Sequence, residues 1–120
     1  MNTPVTIWHN PKCSKSRATA QLLEERGIEA EVIKYLETPP TEETLKEVLQ
    51  MLDIPARELM RTKEPLYTTL NLQDVRSEEA LIAAMAAHPK LIERPIVIRG
   101  EKAAIGRPLE KIITLLETPA

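Results

Sequence analysis

A chain of 120 residues with 42% hydrophobic and 28% charged side chains has the make-up of one globular domain, large enough to bury a core. A net charge of −2 offers no electrostatic footprint for nucleic acid or a membrane surface, and no apolar run reaches the length of a membrane span. A single cysteine and two distant histidines exclude an internal disulfide and a Cys/His metal cluster.

The N-terminal Met1-Asn2-Thr3-Pro4 has no basic segment leading into an apolar one, so a reducing compartment, the cytoplasm, is expected. Val5 to His9 is rich in β-formers and reads as the first strand. Ser14 to Arg26 reads as a helix with Ala18, Leu22 and Leu23 inward and Gly27 as its stop. Ala30 to Lys34 is a second strand, and a strand–helix–strand unit of this size implies a right-handed crossover with parallel strands. Tyr35-Leu36-Glu37-Thr38-Pro39-Pro40 then breaks regular structure.

Thr41 is an N-cap candidate followed by Glu42 and Glu43, and Leu45, Val48, Leu49 and Leu52 form a helical stripe. Pro55 is expected at the first position of a short helix carrying Leu59 and Met60. Lys63 to Asp74 reads as irregular, with a turn of helix around Tyr67 to Leu70. Ser77 caps another helix, with Leu81, Ile82 and Met85 inward, that stops near His88-Pro89. Ile96 to Arg99, Gly100-Glu101 and Lys102 to Ile105 form an antiparallel hairpin. Pro108 opens a last helix with Leu109, Ile112, Ile113 and Leu116 on one face, and Thr118-Pro119-Ala120 frays.

The order is β-α-β, a helical insertion over about 41–88, then β-β-α. This is an α/β chain with a thioredoxin-like fold and a mixed four-stranded sheet, a single domain over residues 1–120. In that fold the redox cysteine opens the first helix, and the proline before the third strand is cis and lies beside it. Cys13 and Pro95 occupy those places.

Cys13 stands at a strand-to-helix junction, where backbone N–H groups and the helix dipole favour an anion. Lys12, Lys15 and Arg17 add positive charge nearby, so Cys13 reads as a reactive thiolate. The spacing Cys13-x-x-Ser16 places a hydroxyl where a C-x-x-C pair has its second thiol, so an adduct at Cys13 has to be removed by an external thiol. Arg94 and Arg107 each precede a proline on either side of the hairpin, and arginine suits bidentate capture of a tetrahedral oxyanion. His9 either tunes the thiol electrostatically or by hydrogen bonding, or pins the loop through a backbone carbonyl, and Asn10 and Pro11 shape that loop. Arg57, Arg76 and Arg99 read as solvated surface arginines, and His88 as a helix C-terminal cap.

Four motifs in order carry a resemblance over about residues 5–116: His9-Asn10-Pro11-x-Cys13-x-x-Ser16-Arg17, Tyr35-Leu36-Glu37-Thr38-Pro39-Pro40, Glu93-Arg94-Pro95-Ile96-Val97 and Gly106-Arg107-Pro108. The chain resembles the ArsC-type arsenate reductases, the glutathione- and glutaredoxin-coupled enzymes with a thioredoxin-like fold. The resemblance implies that Cys13 is the nucleophile that attacks arsenate. It implies that Arg61, Arg94 and Arg107 bind the oxyanion and lower the thiol pKa, and that His9, Ser16 and Arg17 support the thiolate. It further implies glutathione as co-substrate, glutaredoxin as partner, no tightly bound cofactor or metal, and a monomer. Ser14-Lys15 departs from the Gly-Thr common in the branch best associated with arsenate. Two other readings compete: a monothiol oxidoreductase acting on glutathionylated proteins, and a Spx-like transcription regulator that contacts RNA polymerase. Neither gives three arginines a task.

Overall fold

The computed structural model describes residues 4–106 and 109–117. Its elements are β1 (Val5–Trp8), α1 (Ser14–Glu25), β2 (Ala30–Ile33), α2 (Glu42–Leu52), α3 (Ala56–Leu59), α4 (Pro65–Thr69), α5 (Glu78–Ala87), β3 (Ile96–Arg99), β4 (Lys102–Ile105) and α6 (Glu110–Glu117). They fall into two compact units, Met1–Thr38 with Arg94–Ala120 and Pro39–Glu93.

In the first unit the strands form one sheet in the order β2-β1-β3-β4. β1 and β2 are parallel, as a βαβ crossover requires, while β3 runs antiparallel to both β1 and β4. Ile7 pairs with Val32 on one side and Val97 on the other, and Val97 with Ala104, so these four side chains share a face. Val5, Ile7 and Val97 pack there with Leu23 of α1 and Ile112 and Leu115 of α6 in one apolar cluster. Burying each such side chain contributes about 1.5–3 kcal/mol, which fixes both helices to the strands that carry the site. The Arg99 guanidinium bonds the Leu115 carbonyl at 3.1 Å, so it ties β3 to α6 and is not simply solvated. Gly100, at φ +62°, makes the tight connection between β3 and β4.

α1 corrects the expectation for its inner face. Ala18 is exposed, and the buried residues are Ser16, Thr19 and Leu23, with Ala20 partly covered. That is also an i, i+3, i+4, i+7 stripe, but its first half is polar. Both hydroxyls have backbone or side-chain partners, which makes their burial affordable. On α6, Ile112 is buried as expected and Leu115 is buried as well, while Ile113 and Leu116 are only partly covered. Pro108, expected to open that helix, lies outside the described residues, as do Met1 to Thr3 and Thr118 to Ala120.

The second unit is helical. Thr41 caps α2 by accepting the Thr44 N–H at 3.1 Å, and Ser77 caps α5 by accepting the Ala80 N–H at 3.2 Å. Pro55 is the N-cap of α3 instead of its first residue, and both carboxylate oxygens of Glu78 accept the Ala56 N–H behind it. The stretch expected to be irregular holds α4, opened by Pro65, and a short 3-10 turn at Leu72–Asp74. Arg57 corrects its assignment to the solvated surface. Its guanidinium bonds the Tyr67 hydroxyl and the Leu72 and Val75 carbonyls, holding this loop-rich stretch against α3. His88 is the C-cap of α5, and a second 3-10 turn, Pro89–Leu91, follows it.

Candidate active site

The loop between β1 and α1 is held by Asn10. Its side-chain oxygen accepts the Lys12 N–H at 3.0 Å and its carbonyl accepts the Cys13 N–H at 2.9 Å, the compact turn that Asn favours. Cys13 has extended backbone angles (φ −97°, ψ 124°) and is the N-cap residue of α1, with its carbonyl accepting the first helical bond from Arg17. Cys13 is 7% exposed. A thiol in that place faces the N–H groups that the first turn of a helix leaves unpaired.

Burial pushes the Cys13 thiol up, yet its pKa is held below its ordinary value of 9.0. The opposing causes are the Ser16 N–H, the charge of the Arg94 guanidinium, the Lys15 N–H and a hydrogen bond from the Arg94 side chain. Arg94 sits two residues before β3, and its bond to Pro95 is cis, as the fold led us to expect. The guanidinium that acts on the sulfur is therefore Arg94's, delivered from across the sheet. Lys12, Lys15 and Arg17 are exposed, and it is the backbone of Lys15 that meets the thiol.

Behind the thiol, the buried Ser16 hydroxyl lies 2.6 Å from Nδ1 of His9 and accepts the Asn10 N–H at 3.0 Å. His9 thus joins the end of β1 to the first turn of α1, with the Ser16 hydroxyl as its partner in place of the backbone carbonyl expected. The His9 pKa is held below 6.5 by burial first, then by the charges of Lys34 and Arg17, so the ring is neutral at pH 7. Arg17 donates to the Pro11 carbonyl at 3.0 Å and braces the outside of the loop.

Arg61 belongs to the second unit. Its NH1 bonds Glu64 at 3.1 Å and its Nε lies 4.0 Å from Glu93, while its N–H donates to the Leu91 carbonyl at 2.7 Å. Arg107 lies outside the described residues. The first unit thus brings together Cys13, Arg94, Ser16 and His9, with Arg17 on the flank.

Two residues of this region carried no role in the sequence. Gly106 donates its N–H to the Pro95 carbonyl at 2.8 Å, and a Cβ on it would lie 2.7 Å from Cγ of Pro95 and 2.9 Å from Oγ1 of Thr19. Thr19 is fully buried and donates to the Lys15 carbonyl at 3.1 Å. The available signal was the i, i+3 pair Ser16 and Thr19, which the alternative stripe through Ala18 obscured.

Among the described residues no group of three His, Cys, Asp or Glu side chains could hold a metal ion, and no helix is long and apolar enough to cross a membrane. The fold and site define a thioredoxin-like domain with one buried cysteine, its thiol pKa lowered, at the start of its first helix. The chain belongs to the ArsC family, whose family model matches residues 8–115. It is 53% identical over 114 residues to an arsenate reductase of Neisseria meningitidis serogroup A, covering 93% of this chain and 97% of that protein. It is 55% identical over 118 residues to the uncharacterized protein YfgD of Escherichia coli K12, covering 97% and 99% of the two. Among solved structures it is similar to an arsenate reductase from Vibrio cholerae, at 54% identity and a TM-score of 0.92 over 95% of this chain and 98% of that one.

Proposed function

We propose that the protein is an arsenate reductase that reduces arsenate to arsenite through Cys13, with glutathione and glutaredoxin as reductants. The observation that carries this reading is an activated thiol facing Arg94 and two backbone N–H groups, with Ser16 where a resolving cysteine would stand. Relatives that align over nearly the whole chain bear the name arsenate reductase.

In this reading the Cys13 thiolate attacks arsenic, forming an S–As(V) bond as one oxygen leaves as water. Arg94, with Arg61 and Arg107 by the family pattern, binds the tetrahedral oxyanion and stabilises its charge as the S–As bond forms. Glutathione then adds to arsenic through sulfur, releasing a second water. A glutaredoxin thiol attacks the glutathione sulfur and forms a mixed disulfide, leaving two electrons on arsenic and its proton on an arsenic oxygen. Water hydrolyses the remaining S–As(III) bond, freeing arsenite and the Cys13 thiol. In sum, one arsenate and two thiols give one arsenite, one disulfide and one water. We place the enzyme in the cytoplasm, as a monomer, with glutathione as co-substrate and no tightly bound cofactor.

The test is arsenate-dependent NADPH oxidation in a glutathione, glutaredoxin and glutathione reductase coupled assay. Wild type turns over and Cys13→Ser does not. Absence of turnover by wild type at every glutathione level rules out the reading.

A further inference from the structure

The two N–H groups at the Cys13 sulfur belong to different peptide units. That of Ser16 shares its unit with the Lys15 carbonyl, and this carbonyl accepts the Thr19 hydroxyl at 3.1 Å. We infer that Thr19 is a positioning residue for Cys13: its hydroxyl bonds the carbonyl end of the peptide whose N–H end meets the sulfur.

A helical threonine commonly bonds back to the carbonyl four residues earlier, so the bond alone marks nothing. Two features separate this one. Thr19 is 0% exposed on the inner face of α1, where an apolar residue would fill the space without a polar atom to satisfy. Its acceptor is also the one peptide in the helix whose N–H is the Ser16 donor to the thiol. A hydrogen bond to a carbonyl polarises its peptide unit and strengthens the N–H at the other end. The relay is Thr19 O–H, Lys15 C=O, Ser16 N–H, Cys13 sulfur. It reaches the reacting atom without Thr19 touching substrate. Gly106 leaves the space for it, since a Cβ there would lie 2.9 Å from the Thr19 oxygen.

The charged side chain that acts on the thiol, Arg94 before β3, is unaltered by a change at Thr19. The neutral His9 ring bonds the Ser16 hydroxyl, and Lys12, Lys15 and Arg17 point their side chains to the exposed surface of the loop and α1. A shift on replacing Thr19 therefore isolates the hydroxyl.

The experiment measures the pH midpoint of Cys13 alkylation by iodoacetamide in wild type, Thr19→Val and Thr19→Ser, with thermal unfolding of each. Valine keeps the shape and removes the hydroxyl; serine keeps the hydroxyl. A Ser16 N–H hydrogen bond to the sulfur weakened by about 10–30%, as is typical of such cooperativity, raises the midpoint by about half a pH unit in Thr19→Val and leaves Thr19→Ser at the wild-type value. Thr19→Ala serves in place of valine if the latter does not fold. A wild-type midpoint in Thr19→Val, or an equal shift in Thr19→Ser, overturns the inference. The readout needs no arsenate, so failure of the relay is distinguishable from failure of the proposed activity.

Discussion

The Ser16 hydroxyl lies 2.6 Å from Nδ1 of His9 and takes the Asn10 N–H at 3.0 Å, so one oxygen ties the end of β1, the loop and α1 together. The oxygen is buried with its residue, and removing it leaves an amide N–H and a ring nitrogen short of a partner. An unsatisfied buried group of this kind costs about 1–3 kcal/mol. Ser16→Ala is therefore expected to lower stability by about that amount in urea unfolding. Its backbone N–H is retained, so the thiol midpoint moves less than in Arg94→Ala. A stability equal to wild type would remove the hydroxyl from the support of the loop.

A second expectation follows from the neutral His9. Its folded pKa lies below the ordinary 6.5, chiefly through burial, then through Lys34 and Arg17. Between the folded value and 6.5 the unfolded chain binds the proton that the folded chain refuses. Stability contributed by the neutral ring is therefore lost as pH falls through 6.5 toward the folded value. Urea midpoints at about pH 7, 6 and 5 should fall less steeply in His9→Gln than in wild type. Parallel slopes would show that His9 does not carry this dependence.

The pattern of alternation and stripes made most of the fold legible: the βαβ unit, the hairpin and the caps at Thr41 and Ser77 follow from local chemistry. Cys13 was legible as well, because a lone cysteine between a strand and a helix faces a helix N-terminus wherever that junction occurs. Which cation serves the thiol was legible only through the family resemblance, which named Arg94; sequence proximity pointed instead to Lys12, Lys15 and Arg17, whereas the sheet register brings Arg94. Thr19 was missed because a buried polar stripe looks unfavourable until its partners are seen. Arg57 was misread for the same reason, its carbonyl partners lying 15 and 18 residues away.

Arg94 is expected to dominate the thiol's acidity among side chains, acting by charge and by a hydrogen bond. Both favour the thiolate, so losing them raises the pKa. Arg94→Ala should move the alkylation midpoint upward, and Arg94→Lys should recover the charge but not the planar fork, giving an intermediate value. Midpoints in alanine and wild type that coincide would detach this arginine from the sulfur.

Gly106 supplies the last expectation. A methyl at this position would stand 2.7 Å from the Pro95 ring and 2.9 Å from the Thr19 hydroxyl, closer than carbon contacts allow. The proline ring is rigid and Thr19 is enclosed within α1, so the end of β4 has to retreat. Overpacking of this kind costs about 1–3 kcal/mol, and more for a larger side chain. Gly106→Ala should lower stability within that range and Gly106→Val further. Because Pro95 follows Arg94 and Thr19 reaches Cys13 through the Lys15 carbonyl, the same retreat should loosen both sets of donors to the sulfur. The alkylation midpoint should rise in the order wild type, Ala, Val, in step with the loss of stability. A valine variant with a wild-type midpoint would confine Gly106 to packing.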